Sequence, residues 1–361
     1  MHVIMRKLYM SIFACMLVLV TTAVTTYAWA GIFSFNTTEV FHVNLDKNPE
    51  ADFSIQISVD GVNFSDSLSP VDIKRSILKN MNYSSEIDNL SDTNIEKIFE
   101  DLVLYAVSTQ RKDNELGSFV YLEDITKNGF VYDFNSVESD VARKSHFEFD
   151  LYLSFKYKND STDSNILNET HGVYLANVDK ILTGKVQTIT LSNPFEFDNY
   201  FDGTVFKTVT VNSASAARVA MSIYPVVDKG EVSQYEGISP KSLTVFQGGT
   251  ALPTVVNNVY SFGGMLPERD NIGFLQYNEL HRPVISSSLL DDFIDNRGEE
   301  VSIESDVDSW IITKDDGLTI EKMVKIKIQM WIEGFDADCF RVIGNLPIDL
   351  NLTFASTSSE E

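Results

Sequence analysis

Cysteine is nearly absent from this 361-residue chain: Cys15 and Cys339 are the only two. Cys15 lies inside an N-terminal apolar run, so beyond that run one thiol remains and no internal disulfide can form. A disulfide-free protein outside the cell relies on the size of its core, which this length permits, and a buried, inert thiol is the expectation for Cys339. Positive charge is also scarce, with Lys+Arg 28 against Asp+Glu 52 and a net charge of −24. No basic run offsets it, and a surface that negative repels phosphate backbones, so nucleic acid is excluded as a partner. Histidine is sparse and scattered: beyond the apolar run His42, His146, His171 and His281 stand far apart, with no HxH or HExxH spacing to support zinc. There is no GxSxG, GxGxxG or P-loop, no heptad run, no tandem repeat and no Leu-Pro-x-Thr-Gly terminus.

The one long apolar run begins the chain. Arg6 and Lys7 precede an uncharged stretch from Leu8 to Phe35 with a dense centre, Ile12 to Val20. A basic start, an apolar middle and a small-residue exit make a signal peptide. Ala28 and Ala30 supply the small residues for cleavage before Gly31, and Thr26 with Ala28 offers an alternative cut before Trp29. The competing reading is an uncleaved membrane anchor, although Thr21, Thr22, Thr25 and Thr26 weaken the second half of the span. In either case the remainder is placed outside, extracellular or at the cell surface, with signal peptidase and the membrane as its first partners.

Beyond the leader, alternation of apolar and polar residues recurs, the mark of strands with one buried face. Phe53, Ile55, Ile57 and Val59 oppose Asp52, Ser54, Gln56 and Ser58 ahead of a turn at Asp60-Gly61. The longest stripe is Phe147, Phe149, Leu151, Leu153, Phe155 and Tyr157, with Glu148, Asp150, Ser154 and Lys156 expected outward. Ala217, Val219, Met221 and Ile223 repeat it, as do Ile348, Leu350, Leu352 and Phe354. Val324, Ile326, Ile328, Met330 and Ile332 form another, with Lys325, Lys327 and Gln329 outward, preceded by a hairpin signal at Trp310 to Gly317. The fold class expected is all-β, mainly antiparallel, a β-sandwich rather than a βαβ sheet. Helix is confined to two places. Ser69 as N-cap with Pro70 starts a short helix carrying Ile73, Ile77 and Leu78, and a second runs from about Thr93 to Leu104. The organisation is residues 1–30 as signal peptide or anchor and 31–355 as one β-sandwich domain. A helical insertion falls at about 69–104, a polar loop at Lys158 to Thr170, and a polar tail at 356–361.

A resemblance accompanies this reading. Thr25-Thr26-Tyr27-Ala28-Trp29-Ala30 followed by Phe33-Ser34-Phe35-Asn36 resembles the leader-to-domain junction of TasA/camelysin-type surface proteins of Gram-positive bacteria. Ala30 departs from the aromatic expected after the tryptophan. The strings Gln56 to Gly61, Phe149 to Leu153, Ala217 to Ala220 and Trp331 to Cys339 are similar to segments of uncharacterised Firmicute surface proteins with this leader. The resemblance implies a jelly-roll-like sandwich and a subunit of surface or biofilm-matrix fibres; it carries over no catalytic residues.

Candidate sites are few. Asp291, Asp292, Asp295, Glu299, Asp306 and Asp308 are the best candidates for a hard cation such as Ca2+, against the bland reading of a solvated acidic loop. Ser76-Ile77-Leu78-Lys79 matches the Ser-x-x-Lys of serine acyl-enzymes, but without its partner motifs it reads as a chance match. Trp310, Trp331, Tyr260 and Phe262 are candidate sugar platforms, though aromatics in a sandwich are usually core. The expected function is therefore non-enzymatic: a cell-surface or matrix structural protein that self-associates or binds other surface proteins. Its proposed device is the apolar segment Gly31 to Leu45, either donated to a neighbouring subunit or serving as the first strand of its own sandwich. The alternative is an adhesin or carbohydrate-binding module, calcium-dependent in its sharpest form.

Overall fold

The computed structural model describes residues 34–36, 41–45, 53–109, 111–121, 143–157, 171–176, 178–196, 205–214, 216–247, 254–256, 259–261, 301–304, 311–313, 319–333 and 347–358. The leader, with Cys15, Ala28 and Ala30, lies outside them, as do the loop at 158–170, Cys339 and Trp310. Among the described residues no helix is long and apolar enough to cross a membrane.

The described chain is mostly strand, in open antiparallel sheets with two α-helices. Five strands form the heart of the larger sheet. They are β3 (Phe53–Ser58), β5 (His146–Tyr157), β10 (Ala217–Ile223), β11 (Ser242–Gln247) and β13 (Thr319–Glu333). Their order is β3-β5-β13-β10-β11, every pair antiparallel. A short strand, β4 (Val103–Ser108), joins the end of β13 in parallel, and β1 (Ser34–Asn36) pairs antiparallel with β4.

The second sheet is built on β14 (Ile348–Ser358). Along one flank run β6 (His171–Ala176) and β7 (Leu182–Gly184), both antiparallel, with β12 (Val301–Glu304) beyond β6. Leu350 pairs with both Leu182 and Phe41, so β2 (Phe41–Leu45) lies on the opposite flank, parallel to β14. A third, four-stranded sheet contains β8 (Val186–Glu196) and β9 (Val205–Asn212). It leaves the sandwich at a tight junction. Ser213 Oγ accepts from Lys185 N and donates to Pro347 O, and a Cβ on Gly184 would collide with Asn212 Oδ1 and Ala214 N.

The alternating stripes become the core. Phe147, Phe149, Leu151, Leu153 and Phe155 pack with Val324 to Ile332 and Val219 to Ile223, and with Ile348, Leu350, Leu352 and Phe354 of the second sheet. Each such side chain contributes about 1.5–3 kcal/mol on burial. The sequence-predicted hairpin before β13 is present as Ile311–Thr313 paired with Thr319–Glu321.

The two helices fall between β3 and β4. Helix α1 (Pro70–Asn80) opens on a capping box: Ser69 Oγ accepts from Asp72 N, and the Asp72 carboxylate accepts from Ser69 N. Helix α2 (Asp92–Glu100) is capped by Ser91 and ends four residues earlier than the sequence periodicity suggests. Leu102 and Leu104 continue its apolar pattern, but Leu104 is already in β4, where the sheet captures the chain. Phe99 of α2 and Ile73, Ile77 and Leu78 of α1 enter the same core as the sheets.

Candidate functional site

Pleating sends successive residues of β5 and β13 to opposite faces, so the face turned away from the core carries the polar set. From β5 these are His146, Glu148, Asp150, Tyr152 and Ser154; from β13 they are Trp331, Gln329, Lys327, Lys325 and Met323. Register places Glu148 opposite Gln329, Asp150 opposite Lys327 and Tyr152 opposite Lys325. The ion pairs run diagonally, with Lys327 Nζ 3.4 Å from Glu148 Oε1 and Lys325 Nζ 2.8 Å from Asp150 Oδ2. Gln329 Nε2 donates to Glu148 Oε2 at 2.8 Å, and His146 Nε2 stands 3.7 Å from that oxygen.

This face is not the open surface that alternation predicts. The side chains of Lys325 and Asp150 are only 14% and 21% exposed, and Ser154 is fully buried. A strap, residues 111–119, covers one end. Its Asn114 Nδ2 donates to Pro240 O and Lys241 O, and Phe119 lies flat on the His146 ring, centres 4.0 Å apart, and meets Trp331 edge to face with ring centres 5.6 Å apart. The other end is closed by a second apolar cluster of Tyr152, Tyr224, Val227, Tyr235 and Met323, with Phe64 and Val232 against it. There Tyr235 Oη donates to Met323 O at 3.1 Å. Strand β10 is consequently buried on both faces, Arg218, Ala220 and Ser222 included. The sequence signal for this was present in β13. Trp331 and Met323 fall on its supposedly polar side, and both are fully buried.

The electrostatics follow from this enclosure. Burial alone would raise the Glu148 carboxyl, but the His146 ring and the Lys327 ammonium hold it down at about 2. Burial opposes the Lys327 charge, and Glu148 overcomes it, raising that pKa. Burial pushes the Tyr152 hydroxyl up, reinforced by the negative charge of Asp150. At the Asp60-Gly61 turn, where burial would raise the carboxyl, amide donors from Asn63 and Val62 and the Ser58 hydroxyl hold Asp60 at about 2. Chemically the strip is a row of mutually neutralising pairs. Two carboxylates face two ammonium groups, which fastens β5 to β13.

The sequence-predicted sites are placed as follows. Asp291, Asp292, Asp295, Glu299, Asp306 and Asp308 all lie outside the described residues, as do His281 and Phe262. Among the described residues no three His, Cys, Asp or Glu side chains gather in a metal-holding group. His42 is exposed on β2, and His146 sits beneath Phe119. The Ser-x-x-Lys match falls on α1, where Ser76 is buried and Lys79 reaches Asp88 at 2.5 Å. Trp331 is enclosed and donates through Nε1 to Glu333 Oε2 at 3.1 Å, so it offers no sugar platform. No family model, curated protein or solved structure matches this chain.

Proposed function

We propose that the protein is a non-enzymatic structural protein of the cell surface or extracellular matrix, exported by its apolar leader and assembled into fibres by strand donation. The observation that carries this reading is the position of β2. Phe41 and Val43 are buried in the common core, yet the strand is held to β14 by parallel pairing with no hairpin turn joining the two. Such a strand leaves without breaking a turn and enters the equivalent place in a second copy. Main-chain hydrogen bonds then supply strength, and the pockets for Phe41 and Val43 supply register. In a single chain the same residues complete their own sheet; in a fibre they complete the neighbour's. A jelly-roll-like linkage of the two sheets belongs to the same reading, as does membrane attachment of any uncleaved precursor.

The acidic surface, at −24, keeps subunits apart until a specific contact forms. The carbohydrate-binding alternative draws nothing from Trp331, which is enclosed beneath Phe119. Light scattering of a chain beginning at Gly31, compared with one lacking residues 31–45, tests the proposal. High-mass assemblies from the first alone are expected; equal assembly by both overturns strand donation.

A further inference from the structure

The diagonal pair at the centre of the enclosed face has the makings of a covalent bond. Lys325 and Asp150 project from adjacent antiparallel strands, nitrogen and carboxyl oxygen 2.8 Å apart. Asp150 Oδ2 receives the lysine, while Oδ1 is buried and has no hydrogen-bond donor among the described residues. The lysine nitrogen lies 5.1 Å from the centre of the Tyr224 ring and 6.0 Å from that of Tyr152. Partial burial, with only 14% and 21% of the two side chains exposed, makes two charges costly there, and a carboxylate oxygen without a donor adds to that cost. Sheet register meanwhile holds the two groups in contact. Positioning of this kind gives effective molarities of up to about 10⁵–10⁸ M in intramolecular reactions.

We infer that Lys325 and Asp150 condense into an amide, a permanent rung between β5 and β13. The step balances without a co-reactant. The ammonium gives up a proton to the carboxylate it touches, and the freed amine attacks Cγ. The C–O bond to one carboxyl oxygen then breaks, and that oxygen leaves as water with the protons released from nitrogen. Two half-buried charges become one neutral amide, whose carbonyl tolerates the donor-free position of Oδ1 better than a carboxylate does. The bond takes the place of a disulfide in a chain whose two cysteines cannot both serve its outer domain. It joins the two longest strands of the larger sheet, those of 12 and 15 residues.

Tryptic mapping of the full chain, folded at neutral pH, tests this by mass spectrometry. Residues 145–156 and 323–327 are expected as one branched peptide, lighter than the sum of the two by one water, with cleavage blocked after Lys325. In Lys325→Arg, which keeps the charge and the fold, that peptide disappears and the fragments recover their separate masses. Unlinked wild-type fragments at full mass overturn the inference. Loss of water from residues 145–156 that persists in Lys325→Arg also overturns it, since the dehydration would then lie within Asp150's own segment.

Discussion

Phe41, near the start of the described chain, stands edge-on to Phe99 of the helical insertion, ring centres 5.6 Å apart. The same ring meets Phe149 at 6.0 Å and Phe147 at 6.5 Å, both on β5. One side chain therefore ties the edge strand of the second sheet to a helix and to the first sheet. Phe41→Ala is expected to cost about 3–5 kcal/mol, read as a lower denaturant midpoint. His42→Ala, next door but exposed, is expected to stay within about 0.5 kcal/mol.

Two glycines separate backbone strain from steric conflict. Gly61 has φ +73°, and a Cβ there would meet Val232 Cγ2 at 2.6 Å. Gly230 has φ +87° but open space around it. Gly61→Ala is expected to lose about 2–4 kcal/mol, combining the left-handed penalty with displacement of the second apolar cluster. Gly230→Ala is expected to lose about 1–2 kcal/mol from the backbone alone. Thermal melts of both variants check the ranking.

Acid should loosen the enclosed strip in a defined window. Glu148 titrates near 2 in the folded chain against an ordinary value of 4.5, so the folded state favours its ionised form. That contribution is complete above about pH 4.5, falls as pH drops, and is gone below about 2. Glu148→Gln is therefore expected to be less stable by on the order of 2 kcal/mol at pH 7. The gap to wild type should narrow below pH 4.5 and close near pH 2, as followed by urea titrations across that range.

The helical insertion rests on its first cap. Ser69→Ala removes the acceptor for Asp72 N and is expected to cost about 1 kcal/mol. Because Ile73, Ile77 and Leu78 share the main core, the loss should appear in global unfolding rather than as local fraying. Coincident near- and far-UV melts check that.

Much of the fold was legible in the residues themselves. Alternation in β5, β13 and β14 identified the core faces because one side of each strand must meet the other sheet, whereas β10, read the same way, is buried on both faces. Ser69-Pro70 located α1 because capping is local chemistry. The enclosed strip was less legible: Lys325, Lys327, Glu148 and Asp150 look like solvent-facing residues until the strap and the tyrosine cluster are in place. Those covers come from residues 111–119 and 224–235, distant in sequence from the strip, and periodicity carries no information about such contacts. Helix α2 ends earlier than its periodicity suggests for a related reason, since Leu104 suits a helix face and a strand equally and pairing with β1 decides between them.

Strand donation requires β2 to be separable from the rest of the chain and needed by it. Calorimetric titration of a chain lacking residues 1–45 with a peptide of residues 31–45 measures this directly. Saturable one-to-one binding that raises the melting temperature is expected, with binding weakened at least about 100-fold by Phe41→Ala in the peptide. A truncated chain that is as stable as the full one and ignores the peptide would contradict it.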